Sequence, residues 1–304
     1  MNPPIHEDKI LRQTGLIAGA MFMLLAAGCA AVMPQAENAE TLKNLSQPGS
    51  APTLFAPGMV NTPDHREIEG MFGADMDTIY FIRRPWGVPE SNNALMMLQS
   101  GDEGWQEYTV KQDVSEPSIS PDGQTIYFKN RYIEKSDDGW SDLKSLGAPF
   151  DSIDIMRLSA SANGTLYFDT FTPELDTPLR YSRVSNGEYE PPRSLGPQFG
   201  IGVYNAHPFI APDESYIIWD SRRDGGYGSS DLYISFKTDD RTWGPAINLG
   251  DKINTSADEN YPSVSPDGKY LIFDRREDVR SDSERTVNIL WVDAQFLQDL
   301  RPER

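Results

Sequence analysis

A twelve-residue unit recurs along the chain and constrains its fold more than any other feature. Residues 117–128 read PSISPDGQTIYF, residues 262–273 read PSVSPDGKYLIF and residues 208–219 read PFIAPDESYIIW. Two looser copies follow the same plan, RLSASANGTLYF at 157–168 and GMFGADMDTIYF at 70–81. The copies end at Phe81, Phe128, Phe168, Trp219 and Phe273, with spacings of 47, 40, 51 and 54 residues. Self-similarity at such periods is the mark of a repeat architecture, in which each unit buries its apolar face against the next.

The unit reads as a β-hairpin. A short strand around Ser118–Ser120 runs into Ser-Pro-Asp-Gly. Pro121 pre-sets the first central turn position, Asp122 suits the second and Gly123 supplies a positive φ. The chain returns as Thr125-Ile126-Tyr127-Phe128, apolar on both faces, so both sides of the sheet must be covered. A third strand follows each hairpin, at 94–98, 131–135, 179–184, 232–236 and 287–292. A fourth, often opened by Trp, follows four of them, at 105–110, 140–146, 189–195 and 243–249. The fifth unit lacks its fourth strand and ends in AQFLQDLRPER, a short helix by its pattern.

The missing strand stands at the other end. Residues 52–62, PTLFAPGMVNT, parallel residues 245–255, PAINLGDKINT, and both lead into a hairpin unit. The expectation is an all-β, five-bladed β-propeller of four-stranded antiparallel blades, with the ring closed by the N-terminal strand and its edges thereby removed. A six-bladed ring is the alternative, but no sixth unit is visible. Residues 52–304 form the propeller domain.

The repeated SPDG…YF, with Trp243-Gly-Pro-Ala-Ile-Asn-Leu-Gly and Ile253-Asn-Thr ahead of the next copy, resembles the TolB-type, WD40-like (Pro-Asp repeat) propeller. Residues 220–233, DSRRDGGYGSSDLY, look like that family's link between second and third strands. The resemblance spans nearly the whole chain after the leader. It implies a stand-alone propeller and carries little about activity, because related repeats occur in periplasmic scaffolds, peptidase propeller domains and carbohydrate lyases.

The N-terminus reads as an address. Lys9 and Arg12 precede a 12-residue apolar run, Leu16 to Ala27, too short to span a bilayer but right for a signal core. It ends in Leu25-Ala26-Ala27-Gly28-Cys29, which resembles a bacterial lipobox with Cys29 as the lipidated residue. Residues 1–28 are therefore expected to be a lipoprotein signal peptide and 29–51 a flexible tether. By the same resemblance, Ala30 directs the protein to the outer membrane, facing the periplasm. The membrane contact expected is the N-terminal lipid alone.

Charge narrows the partners. Lys and Arg number 27 against 46 Asp and Glu, a net charge of −19, which excludes a nucleic-acid footprint. One cysteine excludes an internal disulfide, and with three histidines (His6, His65, His207) a Cys/His zinc cluster is excluded too. No metal or cofactor is expected.

Hairpin topology gathers one candidate site. Residues before each repeat and residues after its terminal aromatic share one rim: Glu67, Glu69, Glu116, Asp154, His207 and Glu259 with Arg83, Arg84, Arg131, Arg222, Arg223, Arg275 and Arg276. Blade 3 departs, with Phe171 in place of Arg. Trp86, Tyr204 and Tyr227 fall in loops of the same rim. A polar funnel would draw on Trp86, Arg84, Glu116, Arg131, Asp154, His207, Arg222, Glu259 and Arg276. The simpler expectation is that the recurring acids and arginines pair between adjacent blades. Repetition serves structure, whereas His207 and Trp86 break the pattern. The function expected is a monomeric, non-catalytic binding or scaffold propeller for an envelope protein, peptide or glycan. The alternative is a carbohydrate-active enzyme, a glycoside hydrolase or lyase, that uses channel carboxylates. No residue is singled out as catalytic.

Overall fold

The structure, a computed structural model, describes residues 45–85, 92–101, 104–172, 178–239, 242–277 and 286–302. Cys29 and Trp86 lie outside the described residues, as does the whole leader. The strands form five antiparallel sheets, one per blade, each with a four-stranded path, to which blade 2 adds the short strand Gly139–Trp140, together with a small two-stranded ribbon. Blade 1 runs His65–Phe72, Thr78–Pro85, Ala94–Gly101 and Gly104–Gln112. Blade 2 holds Pro117–Ile119, Thr125–Phe128, Arg131–Ser136 and Lys144–Ser145. Blade 3 holds Leu158–Ala160, Leu166–Phe168, Arg180–Ser182 and Arg193–Ser194. Blade 4 holds Val203–Ile210, Tyr216–Arg222, Asp231–Phe236 and Ile247–Asn248. Blade 5 holds Asp258–Val264, Tyr270–Glu277 and Thr286–Asp293, and its fourth strand is Thr53–Leu54 from the N-terminal side. The C-terminal helix is the short Phe296–Asp299.

The doubly apolar second strands are buried on both faces, as at Ile79, Phe81, Ile82, Ile217, Ile218, Trp219, Leu271, Ile272 and Phe273. They feed five separate apolar clusters, one at each blade–blade interface. The cluster between blades 5 and 1 also takes Leu45, Phe55 and Val60. The contacts of the closing segment thus begin at Leu45, and Gly49 O accepts from Asp293 N–H at 3.0 Å.

Two details differ from the sequence reading. The fourth strands of blades 2, 3 and 4 are two residues long: in blades 3 and 4 the segment is broken by Pro191, Pro192 and Pro245, which lack an N–H for the ladder, and in blade 2 Gly139–Trp140 pairs separately with the third strand ahead of Lys144–Ser145. Blade 3's hairpin turn is one residue shorter: Ser161 N–H bonds Thr165 O where Ser120 N–H bonds Thr125 O. That shift makes Leu158, not Arg157, the counterpart of Pro117, since Leu158 faces Phe168 and Pro117 faces Phe128. Within the 220–233 link, residues 225–228 are pinned. Asp231 accepts from the N–H groups of Tyr227 and Gly228 at 2.8 and 3.0 Å, and a Cβ at Gly228 would stand 2.0 Å from Ala257 O.

Candidate functional site

The inner strand of each blade lines the central channel, and one position on it is special. Directly before the repeat stand Glu69, Glu116, Arg157, His207 and Tyr261 in blades 1 to 5. Four of them are left-handed at non-glycine residues: Glu69 (φ 61°), Glu116 (φ 60°), His207 (φ 49°) and Tyr261 (φ 56°). The strand register breaks there in blades 1, 4 and 5, the mark of a β-bulge. A left-handed non-glycine residue costs about 1–3 kcal/mol and persists where its surroundings hold it. The bulge lets consecutive residues depart from strict in–out alternation. It brings five bulky polar side chains together, all buried.

Carboxylates from behind hold the bulges in place. Asp274 of blade 5 accepts from the Glu69 N–H with both oxygens, at 3.1 and 3.0 Å. Asp169 of blade 3 accepts from the N–H groups of Met156 and Arg157 at 3.0 and 2.8 Å and from the His207 N–H at 2.9 Å. Asp220 Oδ1 accepts from His207 Nδ1 at 2.7 Å. These three aspartates immediately follow the terminal aromatics Phe168, Trp219 and Phe273, a signal that was present in the sequence and was not read from it.

Within the ring, the Tyr261 hydroxyl donates to Glu116 Oε1 at 3.2 Å, and the His207 and Tyr261 rings lie 3.9 Å apart. His207 Nε2 stands 3.9 Å from Glu116 Oε2, and Arg157 Nη1 stands 3.9 Å from Glu69 Oε2. Among the described residues, both Glu69 oxygens, Glu116 Oε2, Arg157 Nη1 and His207 Nε2 are buried without a hydrogen-bond partner. Burial, with Glu69 close by, raises the Glu116 carboxyl to about 8. Burial likewise raises Glu69, Asp169 and Asp274. For His207, burial disfavours the charge, but Asp220, Glu116 and Asp169 outweigh it and raise the imidazole to about 9.

Above this ring, on the rim that hairpin topology selects, lies a cavity of about 390 Å³. The structure brings Arg84, Glu116, Asp154 and Arg276 together in its wall, beside Phe171 and Tyr261. The other proposed site residues lie elsewhere. His207 sits beneath the cavity in the ring. Arg131 is exposed on the third strand of blade 2. Arg222 is exposed and stacks over Tyr204, with its guanidinium carbon 5.0 Å from the ring centre. Glu259 is fully buried and accepts from Arg275 Nε at 2.8 Å and from the Thr255 hydroxyl and N–H at 2.7 and 3.0 Å. Glu67 repeats that arrangement with Arg83 at 3.0 Å and Thr62 at 2.9 and 3.2 Å. These acid–arginine pairs join the two strands of one hairpin, not adjacent blades as expected. Among the described residues, no three His, Cys, Asp or Glu side chains are grouped to hold a metal ion.

No protein-family model matches the chain, and no curated protein matches it. Solved structures do share its fold. The catalytic domain of the GH62 α-L-arabinofuranosidase from Coprinopsis cinerea is 10% identical, with a TM-score of 0.54 over 82% of this chain and 96% of that one. TolB from Acinetobacter baumannii is 15% identical, with a TM-score of 0.47 over 76% of this chain. The match spans 56% of TolB's own length. A thermostable family-43 glycoside hydrolase is 16% identical, with a TM-score of 0.44 over 78% of this chain and 92% of that one. At 10% identity the likeness to the arabinofuranosidase domain shows the fold alone.

Proposed function

We propose that the protein is a non-catalytic, ligand-binding propeller of the bacterial cell envelope, which takes a peptide or glycan segment of an envelope partner into the rim cavity above Glu116. One observation carries this reading: five equivalent positions of a repeat hold Glu, Glu, Arg, His and Tyr, with buried polar atoms unpartnered among the described residues. A ring that served packing alone would repeat one residue, as the Glu67–Arg83 and Glu259–Arg275 pairs do. An unsatisfied buried polar group costs about 1–3 kcal/mol, and Glu116 Oε2, whose residue lines the rim cavity, is the ring atom whose cost a polar ligand there recovers on binding. Arg276 and Asp154 supply a donor and an acceptor at the mouth, and Phe171 an aromatic surface. Capture of envelope components by the full chain, compared with the Glu116→Gln and Arg276→Ala variants, tests the reading. Equal capture by all three sinks it.

A second reading, a carbohydrate-active hydrolase or lyase, is favoured by Glu116 itself. A carboxyl held neutral at pH 7 is what a general acid requires. Turnover of any oligosaccharide, abolished by Glu116→Gln, would decide for the enzyme. Saturable binding without turnover would decide for the binding propeller.

The envelope location rests on the Lys9–Cys29 leader. Labelled fatty acid should enter the wild type and not Cys29→Ser, which should lose its membrane association. Absence of label in the wild type overturns the anchor.

A further inference from the structure

The opposite mouth of the channel holds a second cavity, of about 300 Å³. Its wall is built from the inner strands of all five blades and from the hairpin turns near Ala74, Pro121, Pro212 and Pro266. The wall is largely apolar, with Met71, Phe209, Pro208 and Pro262 prominent. Among the described residues lining it, Arg157 is the only charged side chain. In a chain of net charge −19, a cavity with one guanidinium and no carboxylate in its wall stands apart.

Arg157 is 3% exposed and Ser118 is 6% exposed. Arg157 Nη1 and Ser118 Oγ are both without a hydrogen-bond partner among the described residues. The ion pair of Arg157 with Glu69 is stretched to 3.9 Å, beyond hydrogen-bond length. Burial raises the pKa of Glu69, so the acid facing Arg157 within the channel ring is weakened as a counter-charge. What remains is a buried cation with a donor to spare, a hydroxyl beside the same cavity and apolar walls around both.

We infer that this mouth is a second ligand site, separate from the rim cavity, and that it takes a small organic monocarboxylate. The carboxylate accepts from Arg157 Nη1 and Ser118 Oγ, a planar anion suited to a guanidinium fork. The apolar body of the ligand lies against Met71, Phe209 and the two prolines, the division of labour usual in small-molecule pockets. A phosphate dianion fits poorly, because one cation cannot offset the desolvation of two charges in an apolar cavity. The bound carboxylate takes the place of Glu69 opposite Arg157, so the two compete.

The test is calorimetric titration of the full chain with phenylacetate, with its uncharged counterpart phenylacetamide and with inorganic phosphate. Phenylacetate should bind saturably, and the other two at least tenfold more weakly. Arg157→Gln should lose at least tenfold in affinity. Glu69→Gln, which removes the competing acid, should gain about tenfold, equivalent to about 1.4 kcal/mol. Arg276→Ala, which alters the rim cavity and no residue lining this one, should bind phenylacetate as the wild type does, so failure at the rim cavity leaves this result intact. Should Arg157→Gln not fold, Ser118→Ala removes only a hydroxyl and should weaken binding about threefold or more. Equal binding of acid and amide, preference for phosphate, or undiminished affinity in whichever of Arg157→Gln and Ser118→Ala folds overturns the assignment.

Discussion

Replacing Phe55 with Ala is expected to weaken the propeller by about 3–5 kcal/mol, the usual cost of truncating a buried phenylalanine. The closing strand itself is meagre: only Thr53 with Trp291 and Leu54 with Leu290 are paired. At about 1 kcal/mol net per hydrogen bond, such a ladder cannot seal a ring. Phe55 is completely buried, and its ring meets Phe72 edge-on at 5.4 Å and Trp291 at 5.2 Å, so one side chain joins blade 1 to blade 5. For a domain of this size the loss corresponds to a fall in melting temperature of roughly 6–20 °C. Leu54, 44% exposed one residue earlier, is the control, and Leu54→Ala should change stability by less than about 0.5 kcal/mol. Thermal melts and urea titrations on the two variants decide the matter. If Phe55→Ala melts within a degree or two of Leu54→Ala, the seam is not held by this side chain and the argument fails.

Asn61→Ala should cost about 2–3 kcal/mol, because Asn61 bonds Phe55 O at 2.6 Å and both backbone groups of Ile289 at 2.9 Å. Glu259→Ala should cost about 2–3 kcal/mol by leaving Arg275 Nε and the Thr255 N–H without their acceptor, Arg275 Nη2 keeping its bond to Ile253 O, while leaving ligand capture unchanged. Raising the pH should destabilise the fold. His207, held up at about 9, contributes fully below about 6.5 and loses that contribution as pH rises through 9. Glu116 acts with the same sign between its ordinary 4.5 and about 8, since its buried carboxyl must then ionise. Melting temperature should therefore fall from pH 6 to pH 9, and Glu116→Gln should flatten the part up to pH 8. A rise over that range contradicts the assignment. Gly228→Ala should be destabilising through the clash with Ala257 O, seen as a lower melting temperature than that of Gly49→Ala, where the added atom meets open space and the backbone is not left-handed.

The blades and their number were legible because turn chemistry and doubly apolar strands leave a strong trace: Pro121, Asp122, Gly123 and Phe128 each do one job at one place. The closing strand was legible for the same reason, through Asn61-Thr62 and Asn254-Thr255. The channel ring was only half legible. Glu69, Glu116 and His207 were marked and Tyr261 was not, and Glu67 and Glu259 were grouped with them, although a bulge two residues on sends Glu69 and Tyr261 inward and leaves the other two to pair with arginines. Left-handed backbone at a glutamate or tyrosine has no sequence signature. Arg157 was hidden differently. The one-residue deletion in its hairpin moved the apparent frame, so Met156 seemed to stand where Arg157 does. The second mouth of the channel escaped notice because its wall is prolines and serines that read as turn residues.

The seam of the ring is chemically the joint between blades 4 and 5 made a second time. Asn254 bonds both backbone groups of Leu232, at 2.8 and 3.0 Å, as Asn61 does those of Ile289. Leu249 N–H meets Leu232 O, as Phe55 N–H meets Ile289 O. The register differs from the sequence match by one residue, and the turn at Ala56–Val60, with Ala56 and Gly58 at positive φ, takes up the excess. At one joint the two partners are successive stretches of the chain, and at the other they come from its opposite ends. Packing treats them alike. The ends of the polypeptide are thus an accident of where the circle was cut, and a circular permutant cut between blades 2 and 3, with the present ends bridged, would meet the same set of neighbours in a different order of synthesis.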